Sequence, residues 1–185
     1  MPSLMSHLSR FEAKARARDD QGDYWWELRP CAYYPEFEKE KVVWQRITRE
    51  PTFCLVDSGI YILDSMAFFV SDQYLKYEMA VLNSSTILYY TNKVVHQYGF
   101  KGFRLANQYV EVMPIPPITP ENQSLVAQIE LLVNEILKQK RGNPHANTRD
   151  LERAIDELVY RLYDLTDDEI RLIESKLSKD GPAGA

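Results

Sequence analysis

Cysteine, glycine and long apolar runs are all scarce in this chain of 185 residues. Cys31 and Cys54 are its two cysteines; they form no Cys-x-x-Cys pair and have no histidine pair nearby, so no zinc site is expected. So few thiols, with no export leader, fit a reducing compartment, and the cytoplasm is the expected location. The first 18 residues lack the apolar core of a signal peptide. No apolar run approaches the ~20 residues of a membrane span, and the best stretch, 60–70, is interrupted by Asp64. The seven glycines at 22, 59, 99, 102, 142, 181 and 184 are scattered, which excludes a glycine-rich phosphate loop. His7, His96 and His145 are distant singletons that build no catalytic or metal cluster.

Motifs of catalysis are missing as well. Asn143-Pro144-His145-Ala146 lacks the second proline and the aromatic ring with which an adenine methylase holds its flipped base. Glu12-Ala13-Lys14 and Glu174-Ser175-Lys176 supply only the short end of a metal-dependent nuclease motif, on helices rather than after a strand. No serine is framed as Gly-x-Ser-x-Gly. The chain therefore reads as a recognition module that is non-catalytic by itself.

What is present is an ordinary globular composition, with 45% apolar and 26% charged residues. The net charge of −5 is unevenly spread. Residues 1–120 carry 13 basic and 14 acidic side chains, whereas 121–185 carry 9 and 13. No acid occurs over 79–110, which holds Lys93, His96, Lys101 and Arg104. A chain with negative overall charge is a poor non-specific nucleic-acid binder, yet such a segment can still face phosphate.

The patterning predicts three regions: an N-terminal helix and linker over 1–23, an α+β core over 24–118 that is rich in β-formers, and antiparallel helices over 119–180. Leu4, Leu8, Phe11 and Ala15 make one helical stripe. Residues 41–47 read as a strand in which Val43, Gln45 and Ile47 alternate against Val42, Trp44 and Arg46. Asp57-Ser58-Gly59 between 53–56 and 60–63 predicts a hairpin, and 67–70 a further strand. Helices are expected from Asp72, as the cap, to Asn83 and over 87–96, with a short strand over 109–113. The run Pro114-Ile115-Pro116-Pro117-Ile118-Thr119-Pro120 predicts a stiff extended connector. Thr119 and Pro120 are placed to open the next helix, and Thr166-Asp167-Asp168-Glu169 is a capping box for the last.

Several segments in order resemble a known family. Trp25-Trp26-Glu27-Leu28-Arg29 followed by the run Phe37 to Ile47, then Leu75-Lys76-Tyr77 through Ala80-Val81-Leu82-Asn83-Ser84, then Pro114-Ile115-Pro116, then Ile155 to Ile170, resemble the TaqI-like C-terminal specificity domain. That is the target-recognition part of type II, chiefly type IIG, restriction–modification enzymes and of adenine-specific DNA methyltransferases. The likeness runs from about residue 24 to 175. It departs from the family pattern at Glu40, usually proline, and at Asp164, usually glycine. The resemblance implies a bacterial, cytoplasmic restriction–modification system in which this chain, as a C-terminal portion, reads double-stranded DNA. A methyltransferase or nuclease domain, in the same enzyme or a separate subunit, would then flip the target adenine. It implies no cofactor in this chain; S-adenosylmethionine and Mg²⁺ belong to the catalytic domains.

Base edges are read by bidentate donors, Arg or Lys on guanine and Asn or Gln on adenine. The candidates are Lys39, Lys41, Gln45 and Arg46 on or beside one strand, and Lys101 and Arg104 in the acid-free segment. Lys76, Asn92 and Lys93 are secondary. Strand alternation places Gln45 and Arg46 on opposite faces, and Lys39 and Lys41 alternate with Glu38 and Glu40. Two rival readings are a protein–protein interaction module without DNA binding, which would lack steep salt dependence, and an enzyme whose site has no recognised motif.

Overall fold

The computed structural model describes residues 2–30, 32–95, 99 and 102–179. The chain divides into two compact units, Met1–Glu38 and Lys39–Ala185.

In the first unit the predicted single helix is two, α1 (Pro2–Ser9) and α2 (Glu12–Arg16), separated by a turn at Arg10 and Phe11. Beyond them the chain is organised by one side chain: Arg18 donates to the carbonyls of Ala15, Trp25 and Glu27. Tyr24 and Trp26 stack at 4.7 Å, with Trp25 edge-on to Trp26 at 5.5 Å. The Arg16 guanidinium lies over Trp25 at 5.9 Å. The unit closes on a 3₁₀ turn, Tyr34–Glu38, which buries Phe37.

The second unit is α+β. Its three-stranded antiparallel sheet has β1 (Lys41–Gln45) in the centre, between β3 (Phe53–Val56) and β4 (Met66–Phe69). A two-stranded sheet pairs β2 (Ile47–Thr48) with β5 (Phe103–Arg104). The central position explains why Lys41, Val42, Val43 and Trp44 are buried in succession instead of alternating. The hairpin expected across Asp57-Ser58-Gly59 does not form. The turn is there, with Gly59 at φ 74°, but β3 and β4 occupy opposite edges of β1, so the chain from 57 to 65 must cross the sheet and 60–63 is irregular. The expected strand at 67–70 is β4.

Helix α3 (Leu75–Asn83) packs on this sheet, and α4 (Ser85–Val94) packs on α3. Tyr74, not Asp72, stands at the α3 N-cap, without a side-chain bond. Ser84 caps α4, accepting from the Ile87 N–H. Asn83 does more than end its helix: its Oδ1 accepts from Phe53 N–H and its Nδ2 donates to Phe53 O, fastening α3 to β3. The segment expected as a strand at 109–113 is instead helical, α5 (Asn107–Val110), running into a turn. α6 (Gln123–Gly142), α7 (Arg149–Leu162) and α8 (Asp167–Lys179) complete the unit. Asn122 rather than Thr119 stands at the α6 N-cap. The α8 capping box forms as predicted, Thr166 N–H and hydroxyl donating to Glu169 and Glu169 N–H to Thr166.

One hydrophobic cluster runs through the whole unit, joining Val42, Trp44 and Phe53 of the sheet to Leu82, Ile87, Val126, Ile129, Val133, Ile155 and Val159 of the helices. The proline-rich connector is held against it: Tyr77 donates to Pro116 O at 2.8 Å and Tyr163 to Pro114 O at 2.6 Å. Among the described residues no helix is long and apolar enough to cross a membrane.

Candidate nucleic-acid interface

The decisive local feature is a corner in the backbone at Arg46. Its N–H donates to Ser65 O before β4, and its carbonyl accepts from Leu105 N–H after β5. Arg46 is thus a bend between β1 and β2, bonded to the residues that flank β4 and β5, and side-chain alternation is interrupted there. Gln45 and Arg46, expected on opposite faces, line the same cleft.

This cleft holds about 610 Å³. Its floor is the junction of β1 and β2 with β5, where Ile47 pairs with Arg104. Asp64 and Ser65, and Ala106, Asn107 and Gln108, line the rest of it. The frame beneath is tight. Trp44, buried, donates its indole N–H to Leu105 O at 3.0 Å and packs on Phe53 and Phe69. Gly102, at φ 88°, brings the chain so close to β2 that a Cβ there would lie 2.4 Å from Thr48 O and 2.7 Å from Arg49 Cα. Only glycine fits this approach without moving backbone.

The Arg46 Nη1 lies 3.3 Å from Asp64 Oδ1, while its Nε is buried without a hydrogen-bond partner. Arg104 is exposed and has no ion-pair partner among the described residues. Gln45, Asn107 and Gln108 are exposed too. The cleft therefore presents two guanidiniums and three carboxamides, the groups that pair bidentately with guanine and adenine edges, against one carboxylate.

The other sequence candidates fall elsewhere. Lys41 is withdrawn: it is fully buried, its ammonium donating to Asp57 O at 3.1 Å, so it has no surface to offer. A central strand position buries both faces, which alternation with Glu38 and Glu40 did not reveal. Lys39 and Lys76 line a different cleft, of about 450 Å³, together with Glu40, Asp72 and Glu130. Lys76 donates to Asn134 of α6 at 2.8 Å. Two lysines among three acids make a poor phosphate surface. Lys93 sits in the last turn of α4 with its ammonium 5.4 Å over the Tyr89 ring, outside both clefts. Asn92, next to it on α4, lines neither cleft. Lys101 and His96 lie outside the described residues. Asn107, Gln108 and Asp64 were not anticipated. The amide pair follows Arg104 directly in the acid-free segment, and reading 109–113 as a strand hid its place on the first turn of α5.

Residues 6–115, more than half of the chain, match the family model of the TaqI-like C-terminal specificity domain. The chain belongs to this family. All the cleft residues of this specificity domain lie within the match, from Gln45 to Gln108. The match begins before the aromatic segment and stops in the proline connector, so the likeness expected to extend to residue 175 rests on the front of the chain. The family is one of DNA-recognition domains in restriction–modification systems, which work with a catalytic partner domain. No curated protein matches the chain. Among the described residues no group of three or more His, Cys, Asp or Glu is placed to hold a metal ion.

Proposed function

We propose that this specificity domain reads base sequence in duplex DNA through the cleft of Gln45, Arg46, Arg104, Asn107 and Gln108, for a methyltransferase or nuclease partner. The observation that carries the proposal is the convergence of these five side chains, brought from two separated segments into one cleft by the corner at Arg46. Guanidinium and carboxamide forks distinguish guanine from adenine in the major groove. Arg104, exposed and without an ion-pair partner among the described residues, also suits a phosphate oxygen. In this reading the partner domain, in the same enzyme or a separate subunit, holds S-adenosylmethionine and Mg²⁺ and performs the chemistry on an extruded adenine. A type IIG enzyme of a bacterial cytoplasm fits that arrangement.

Binding of a random-sequence duplex, followed by fluorescence anisotropy at 50 and 200 mM salt, tests the reading. The wild-type chain is expected to bind, with affinity falling as salt rises, because phosphate neutralisation releases counterions. On the duplex that the wild type selects from a randomised pool, changing Arg46 and Arg104 together to alanine should cost about 2–6 kcal/mol, at about 1–3 per contact. Unchanged affinity in the double variant at low salt would refute the assignment.

A further inference from the structure

Within the cleft proposed to read DNA, one residue has the wrong charge for the task. Asp64 is a cleft-lining carboxylate, its side chain fully exposed, that no phosphate would attract. It makes an ion pair with Arg46 while Arg104 is left without one among the described residues. The two arginines are therefore not equivalent.

We propose that Asp64 is a specificity-determining residue, which holds Arg46 for a base edge and keeps it from the sugar–phosphate backbone; this rests on the DNA reading above. The exposed Arg46–Asp64 pair is weak, since water screens it and two side chains must be ordered to form it. Weakness makes it exchangeable. The buried Nε closes one edge of the guanidinium and leaves the Nη end to meet a ligand. A guanine offers that end two acceptors at once, O6 and N7, and can take the place of Asp64. A wrong base offers fewer, so the guanidinium stays with the carboxylate. A phosphate would replace Asp64 only by bringing a second negative charge beside it, an interaction repulsive by about 1 kcal/mol at 4 Å even in water. Asp64 thus lowers affinity for any DNA backbone more than affinity for the right sequence. Arg104, with no such guard, supplies sequence-independent attraction.

The test compares wild-type protein with D64N and D64E. Selection of bound duplexes from a randomised pool gives the preferred sequence of each, and anisotropy with the preferred and a scrambled duplex gives the discrimination ratio. D64N is expected to bind the scrambled duplex about five-fold more tightly, the factor that the loss of one nearby unit charge gives. Its preference for the selected sequence should fall by a similar factor, and D64E should restore most of it. Damage to the fold would weaken binding, the opposite sign. If D64N leaves both affinities as in the wild type, or weakens both equally, the role of Asp64 is overturned while the DNA reading stands. If wild-type protein binds no duplex at 50 mM salt, the DNA reading fails and this inference with it.

Discussion

At the scale of single residues, burial separates lysines that look alike in sequence. Lys41 has one acceptor, Asp57 O, for a fully buried ammonium. A buried ammonium with no carboxylate beside it carries a desolvation penalty of several kcal/mol, which an apolar chain of similar length relieves. Lys41→Met is accordingly expected to unfold at the same or a higher urea concentration, with a gain of about 0–2 kcal/mol, and to bind duplex DNA within two-fold of the wild type. A large drop in affinity on its anisotropy curve would return Lys41 to the interface. The neighbouring residue types carried part of this information: Gln45, Arg46 and Arg104 were legible as hydrogen-bonding candidates. The position of β1 between two other strands was not legible, because strand order is fixed by contacts far apart in sequence. Asp164 shows the opposite case. It stands at φ 52°, the conformation that glycine adopts freely, and closes the C-terminus of α7 through Leu165 N–H on Tyr160 O. Aspartate tolerates that backbone better than most residues, so the turn closes without a glycine.

Elements are joined by a few buried polar contacts, and one of them makes stability depend on pH. Asp156 of α7 accepts from the Ser85 N–H at 2.8 Å and the Ser85 hydroxyl at 2.7 Å, tying α7 to the start of α4. Burial pushes its carboxyl above the ordinary 3.8, with Glu174 and Glu152 adding to the rise; the two bonds from Ser85 oppose it. The folded state therefore favours the protonated form. This contribution is present below the unfolded value and is lost as pH rises through the folded one. Urea titrations of wild type and Asp156→Asn between pH 3.5 and 7 are expected to show the difference moving in favour of the variant as pH increases, and a constant difference would contradict the shift. Helices were the legible elements. The stripes of α6 and α7 and the capping box of α8 are written within a few residues of each other. The crossing from β3 to β4 and the single turn of α5 were not, since a Gly turn favours a hairpin locally and four residues carry too little periodicity to reveal a helix.

The molecule as a whole does not end where its family match ends. The match stops at residue 115, but the core of the second unit continues into Val126, Ile129, Val133, Ile155, Leu158 and Val159, all buried. Six such side chains account for on the order of 10 kcal/mol of burial, comparable to the entire stability of a domain. A chain truncated after Ile118 is expected to lose its cooperative urea transition and its dispersed amide spectrum. Retention of either would mean the front portion folds alone. Charge patterning had marked residues 121–185 as the acidic part, and those helices lie outside the candidate cleft. The proline connector, legible as extended, is not a joint between bodies, because Tyr163 and Tyr77 fasten its first half at Pro114 and Pro116. The close passage of Gly102 past Thr48 and Arg49 has a consequence for how such a chain changes its target. The two arginine-bearing segments are held together there, so in the DNA reading proposed above a new preference arises by exchanging side chains at positions 45, 46, 64, 104, 107 and 108 on an unchanged frame. Descendants with different tastes in DNA would then share one skeleton and differ only in its fingertips.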